Sequence, residues 1–308
     1  MESNKRENSR NRVQVLLSTY NGEQYVKEQI DSILQQSVQV ELLIRDDGST
    51  DNTISILQEY EKNYSNIKVH YGANVGVIDS FFSLVSLANK EDFSYFALAD
   101  QDDVWLPNKL KRAIWLLEKK GGLVYCSDKK LVDENLNPLP TGILYNKVKT
   151  EFGNALVENM CTGCTCVINK ELLSLLQVGK PEFTVMHDFW IYLVGTCFGK
   201  VVYDKKSYIL YRQHGNNELG AASSLMESYK RRIKNFRKYR GQLTKQAASF
   251  LRIYGEILPE DKKELLIDFL ESKYNKDKRK KILRERKLFR QRKQDMFIMR
   301  QLLRLKLL

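Results

Sequence analysis

The sequence predicts an α/β fold: a mostly parallel central sheet followed by an α-helical, basic C-terminal extension. Three observations carry that prediction. Apolar runs of strand length alternate with segments of helical period through roughly the first third of the chain. Each run ends in a polar turn bearing Gly, Asn or Asp. Past Leu225 the strand signals stop and positive charge accumulates.

Residues 13–17 form the first expected strand, which runs into Ser18-Thr19-Tyr20-Asn21-Gly22. Tyr25, Val26, Ile30, Ile33 and Leu34 then recur at helical spacing. Residues 40–44 make a second strand ending in Arg45-Asp46-Asp47-Gly48-Ser49-Thr50-Asp51, and Ile54, Ile56, Leu57 and Tyr60 mark the next helix. A third strand covers residues 67–71. After Asn74-Val75-Gly76 a further helix leads to the apolar run 93–99. That run delivers Asp100-Gln101-Asp102-Asp103, and Pro107 suits the first turn of a helix reaching about Lys120. Right-handed crossovers make such a sheet parallel, so all these turns gather at one edge, where open α/β sheets bind ligands.

The carboxylates of Asp100, Asp102 and Asp103 repel one another, and burial raises their pKa values unless a cation neutralises them. A hard divalent ion, Mg²⁺ or Mn²⁺, held by one or two carboxylates and substrate phosphates, resolves the conflict. The bland alternative is a solvated turn in which Asp103 caps the next helix, with Asp46, Ser49 and Asp51 as ordinary turn formers. Convergence of several turns on one edge favours a nucleotide site. Tyr20 can stack on a base, Thr19, Asn21 and Asp47 offer hydrogen bonds, and Gly48-Ser49 opens a helix whose first amides favour anions.

With these four motifs in this order, the chain resembles family 2 glycosyltransferases, inverting enzymes of the GT-A fold, over roughly residues 13–217. The string Leu98-Ala99-Asp100-Gln101-Asp102-Asp103-Val104-Trp105 is similar to that of bacterial rhamnosyltransferases of rhamnan and cell-wall polysaccharide synthesis. The resemblance implies that Thr19, Tyr20, Glu23, Asp47 and Asn74 line a nucleoside pocket. It places Asp100 at the ribose and Asp102 on a divalent metal against the donor diphosphate. A catalytic base is implied within Met186-His187-Asp188-Phe189-Trp190, where Asp188 takes the role. His187, standing where relatives more often carry Glu, is left as a polar helper. Cys161-Thr162-Gly163-Cys164-Thr165 matches a small-residue segment flanking the acceptor. Tyr211-Arg212-Gln213-His214-Gly215-Asn216-Asn217 matches a late motif whose Arg212 and His214 close over the diphosphate or metal; for His214 an ordinary loop histidine stays an open alternative. The chemistry agrees with these residue types. Inverting transfer needs a base for the acceptor hydroxyl proton and positive charge for the departing nucleoside diphosphate. It needs no covalent nucleophile, and no Ser-His-Asp or Cys-His signature asks for one.

At 308 residues and 43% hydrophobic, the chain can bury one large domain plus an appendage, or two domains. Its net charge of +12 is uneven: residues 225–308 hold 26 Lys/Arg against 10 Asp/Glu, the remainder 24 against 28. The expected division is therefore a GT-A domain over 1–224 and a basic helical region over 225–308. There, Met226, Tyr229, Ile233, Phe236 and Leu243 fall at helical spacing among cations, and Leu265, Leu266, Phe269 and Leu270 form a second apolar face. Ile282, Phe289, Met296 and Leu303 recur every seven residues. Basic helices with an apolar face point first to an anionic membrane surface and second to self-association, which is compatible with it. Nucleic acid is not expected, since no recognised binding motif is present. Residues 1–12 lack the apolar core of a signal peptide, and no apolar run nears the ~20 residues of a membrane span, so a cytoplasmic, peripheral location is expected. The five cysteines read as free thiols, neither a zinc set nor a disulfide framework.

These readings combine into a metal-dependent inverting transferase moving L-rhamnose from dTDP-L-rhamnose onto a lipid-linked saccharide in cell-wall or capsular polysaccharide synthesis. Its rivals are a UDP-hexose donor, and a basic scaffold carrying a degenerate transferase domain.

Overall fold

A computed structural model describes residues 12–140, 147–214 and 241–307. The chain divides into two units. The first takes in described residues 12–140, 161–180 and 200–214. Its strands are β1 (Arg12–Thr19), β2 (Gln39–Asp46), β3 (Ile67–Tyr71), β4 (Tyr95–Ala99), β5 (Val104–Trp105), β6 (Val124–Ser127), β7 (Lys130–Val132), β8 (Val167–Asn169), β9 (Val201–Asp204) and β10 (Ile209–Arg212). Seven of them form one sheet in the order β3-β2-β1-β4-β8-β6-β9. β1, β2, β3 and β4 pair in parallel, as the strand-helix alternation requires, and β8 runs antiparallel to both β4 and β6. A small sheet β5-β10-β7 stands apart from it.

β1 occupies the centre of the parallel part because Val13, Val15, Leu16 and Leu17 are all fully buried, and a strand apolar on both faces must be covered on both. Helix Val26–Leu34 buries Val26, Ile30 and Ile33, spaced so that one stripe meets the sheet. The helix expected from Pro107 instead starts at Lys109, with Asn108 as its N-cap. The physical reason is β5: Val104 and Trp105 pair with Leu210 and Ile209, which keeps the chain extended beyond the acidic turn.

The second unit comprises described residues 147–160, 181–199 and 241–307. It is helical throughout its regular structure: Phe152–Ala155, His187–Phe198, Gln242–Tyr254, Glu260–Glu271, Lys276–Glu285 and Lys293–Arg304. Its core is aromatic. Trp190 meets Phe250 edge-on at 5.5 Å between centroids, and Phe250 lies 4.8 Å from Tyr254. Leu266 and Phe269 are fully buried. Of the seven-residue stripe, Ile282 and Leu303 are buried, while Phe289 and Met296 are half-buried, so much of it serves this unit's own packing. The expected boundary at residue 224 and the basic segment 226–238 lie outside the described residues. Described residues beyond that boundary share a unit with the segment carrying Asp188. No helix among the described residues is long and apolar enough to cross a membrane.

Candidate active site

Parallel pairing sets Thr19 opposite Asp46, so the turns after β1 and β2 begin side by side. Asp46, 1% exposed, accepts from the Thr19 hydroxyl at 2.9 Å and from the Ser49 amide and hydroxyl at 2.9 and 2.6 Å. Asp47 reaches to the third turn: its carboxylate accepts from the amides of Val75 and Gly76 at 2.9 and 2.8 Å and pairs with Arg45. Gly48 has φ +80°, and a Cβ there would lie 3.0 Å from the Asn74 amide nitrogen, so conformation and space both call for glycine. The Asn21 amide donates to Ser49 Oγ at 2.9 Å, and the Glu23 carboxylate accepts from the Asn52 amide at 2.9 Å. Among the residues expected along a nucleoside pocket, Thr19 and Asp47 are thus buried and hold turns together, whereas Tyr20, Glu23 and Asn74 are exposed.

The acidic turn is tied to the first turn through Gln101. Its side-chain amide accepts from the Tyr20 N–H at 2.8 Å and donates to the Tyr20 carbonyl at 3.0 Å, imitating a strand partner. Gly22 has no Cβ because the Gln101 side chain occupies that space. Asp102 Oδ2 lies 2.8 Å from His214 Nε2, so the two residues expected at a metal do meet. Arg212 is only 2% exposed. Its Nε donates to the Asp102 carbonyl at 2.8 Å, its other nitrogens go to the Glu134 carbonyl and Glu28, and its guanidinium lies 4.4 Å over the Tyr25 ring. In these contacts Arg212, expected to close over a diphosphate, braces the acidic turn from the protein side.

Asp103 does not cap the following helix. It is fully buried, and its Oδ1 accepts from the Arg212 amide at 3.1 Å. Burial first, and then the nearby Asp102 and Asp100, hold its pKa well above the usual carboxylate range. Asp100, Asp103 and Cys164 bring one ligand atom each within 4.8 Å of one another. Beside them Lys109 is buried with its Nζ 3.2 Å from the Trp105 ring centroid, and burial lowers its pKa to about 7. None of the five cysteines is in a disulfide, and all are buried.

Two donor sets could be considered for a hard cation. Cys164 is a soft donor and fully buried, which suits Mg²⁺ or Mn²⁺ poorly. Asp102 and His214 are partly open, and their 2.8 Å separation matches adjacent ligand positions about 3 Å apart on an octahedral ion with ~2.1 Å bonds. The Asp102–His214 pair fits such an ion.

In the second unit, Asp188 sits in the first turn of helix His187–Phe198 and its Oδ1 accepts from Asn159 Nδ2 at 2.9 Å. His187 is 6% exposed, and burial lowers its pKa to about 3, so its ring stays neutral at physiological pH. Gln101, Tyr25, Glu28 and Asn159 escaped the sequence reading. Gln101 lies inside a recognised motif and could have been weighed there; the other three carry no local signal, since their partners are distant in the chain.

The profile of Glycosyl transferase family 2 matches residues 14–176. The chain is 32% identical over 253 residues to the dTDP-rhamnosyl transferase RfbG of Shigella flexneri, covering 75% of this chain and 83% of that protein. It is 28% identical over 187 residues to the putative teichuronic acid biosynthesis glycosyltransferase TuaG of Bacillus subtilis, covering 59% and 71%. Among solved structures, S. aureus TarS in complex with UDP-GlcNAc aligns over 85% of this chain and 72% of its own, with TM-score 0.59 and 19% identity. The mannosyltransferase PcManGT of Pyrobaculum calidifontis, in complex with GDP-Man and Mn²⁺, aligns over 85% and 70% with TM-score 0.54 and 16% identity. The fold is the GT-A fold these structures share, and the chain is a glycosyltransferase belonging to family 2.

Proposed function

We propose that the protein is a metal-dependent inverting rhamnosyltransferase that moves L-rhamnose from dTDP-L-rhamnose onto a lipid-linked saccharide at the inner membrane face. The observation that carries the donor assignment is the 32% identity to a dTDP-rhamnosyl transferase over 83% of that protein's length. Tyr20 stacks on the base, with Thr19, Glu23, Asp47 and Asn74 forming and holding the nucleoside pocket and Asp100 meeting the ribose. Asp102 with His214 would hold Mg²⁺ or Mn²⁺, which when bound offsets the charge of the departing nucleoside diphosphate. Arg212 serves the diphosphate by keeping the acidic turn in place. Asp188 takes the acceptor hydroxyl proton as attack begins.

The test is thermal stabilisation of the purified protein by dTDP, UDP and GDP, each with and without Mn²⁺. Ligand at ~100 times its Kd stabilises a folded protein by ~2.7 kcal/mol. Stabilisation by dTDP above the others and dependent on Mn²⁺ is expected; preference for UDP overturns the sugar and keeps the class. Asp188→Asn should reduce glycan synthesis in cells by roughly 10²–10⁴-fold while nucleotide stabilisation persists. Asp102→Asn should abolish the Mn²⁺ dependence. Survival of glycan synthesis in both variants returns the basic-scaffold reading.

Membrane attachment is supported by exposed Tyr274, Phe297 and Leu305 beside exposed Lys276, Lys280, Lys293, Arg304 and Lys306. Flotation with vesicles containing phosphatidylserine, but not with neutral vesicles, is expected. It should weaken in the Phe297→Ser, Leu305→Ser double variant, and equal flotation of both proteins removes the membrane role.

A further inference from the structure

The second unit carries a chain of polar contacts that leads to Asp188. Glu158 is 7% exposed, and its carboxylate accepts from the Gln291 amide at 2.7 Å and lies 3.5 Å from Arg290 Nε. Asn154, fully buried, donates to Glu158 Oε2 at 2.9 Å and to the Phe289 carbonyl at 3.0 Å, and its Oδ1 accepts from Tyr192 at 2.7 Å. Residues 154–158 are therefore clamped between the C-terminal segment Phe289, Arg290 and Gln291 and the helix that bears Asp188. The next residue, Asn159, donates its side-chain amide to Asp188 Oδ1 at 2.9 Å. An amide N–H can only donate, so this contact requires an acceptor on Asp188 and favours its ionised form.

We propose that Asn159 is the positioning residue for Asp188, and that the basic C-terminal segment, through Glu158 and Asn154, holds Asn159 in place. The proposal rests on Asp188 being the base. In this view Asn159 fixes the rotamer of the carboxylate and keeps it ready to take a proton. The C-terminal region is then part of the catalytic apparatus as well as a surface.

The experiment measures dTDP release from dTDP-L-rhamnose by the full-length protein with Mn²⁺, using isolated membranes as the acceptor source, across pH 5 to 9. Asn159→Ala should lower kcat by about 10–100-fold, the size expected when a catalytic group is misplaced, with the KM for dTDP-L-rhamnose little changed. The acid limb of its pH–rate profile should move upward, because a donor that favoured the ionised carboxylate is gone. Asn159→Asp should move that limb further, since a second carboxylate faces the first. Glu158→Gln should reproduce a smaller upward movement. Adding Asn159→Ala to Asp188→Asn should give no further loss.

A purely structural role would lower Tm and activity together in Asn159→Ala and leave the acid limb where it was; that outcome overturns the proposal, as does an additive loss in the double variant. Full activity of Asp188→Asn alone overturns the assignment of the base itself, and the positioning role with it. An inactive Asp188→Asn beside a wild-type Asn159→Ala overturns only the positioning role.

Discussion

The sheet edge of the first unit and the helical second unit hold their candidate site residues by different means. At the sheet edge, turns that follow neighbouring strands are joined by short polar contacts, and glycine conformations and side-chain-to-amide bonds fix their shape, even where the partners are as far apart in the chain as Asp102 and His214. Asp46, Asp47, Ser49, Asn21 and Gln101 all work in this way. In the second unit the Asp188 segment is held by residues more than a hundred positions apart, as Asn154 with Phe289 and Glu158 with Gln291 illustrate. An aromatic core around Trp190 and Phe250 supports the arrangement. The polar turns are therefore expected to tolerate the loss of apolar volume elsewhere better than the helical unit, whose pieces meet through its aromatic core.

The largest effect is expected from Phe250→Ala. Its side chain is fully buried between Trp190 and Tyr254, and the truncation should destabilise the second unit by about 3–5 kcal/mol, read by chemical denaturation. Metal-dependent stabilisation by dTDP should survive better than transfer activity. Asp47→Ala is the matching change at the sheet edge. It removes the acceptor of two amides and the ion-pair partner of Arg45 and should lower stability by about 2–3 kcal/mol, with loss of dTDP binding in the same thermal assay.

Gly153→Ala tests the close packing within the second unit. A Cβ there would run into the backbone carbonyl of Lys287, so a cost of about 1–3 kcal/mol is expected, visible as a lower Tm. The acid side of the stability curve distinguishes the units as well. With its pKa lowered by burial to about 3, His187 binds fewer protons folded than unfolded between about pH 3 and its ordinary value of 6.5. Its contribution is complete above pH 6.5 and is lost as pH falls through that window. His187→Gln should flatten that part of the curve in denaturation measured from pH 7 to 4. The smallest effect belongs to Tyr20→Ala. At 45% exposure it should change stability by less than about 0.5 kcal/mol while weakening dTDP binding by about 1–3 kcal/mol.

Much of the fold and part of the site were legible because their signals are local. The near-continuous apolar run of Val13, Val15, Leu16 and Leu17 and the three-to-four spacing of Val26, Ile30 and Ile33 announce a strand and a helix before any tertiary contact forms. Turns after strands must gather at one edge of a parallel sheet, so the meeting of Ser18-Thr19-Tyr20, Asp46-Asp47 and the acidic turn follows from topology alone. The encounter of His214 with Asp102 was anticipated from the resemblance of its motif.

The direction in which Arg212 points was not legible. A guanidinium goes to whichever acceptors desolvation leaves open, and Glu28 and the Glu134 carbonyl are supplied by remote segments. The start of the helix at Lys109 depended on β5 finding β10, which no local propensity encodes. The basic C-terminal region shows the same limit most plainly. Its composition reads as a membrane-facing or self-associating region, and only three-dimensional packing buries Phe250, Leu266 and Ile282 within the unit that also holds the Asp188 helix. The alternation, the sheet edge and the residue types gathered there are written locally in the chain, because backbone geometry and near neighbours decide them. Which charges turn inward and which helices pack behind Asp188 follow from burial and long-range partners, which set the energies of both.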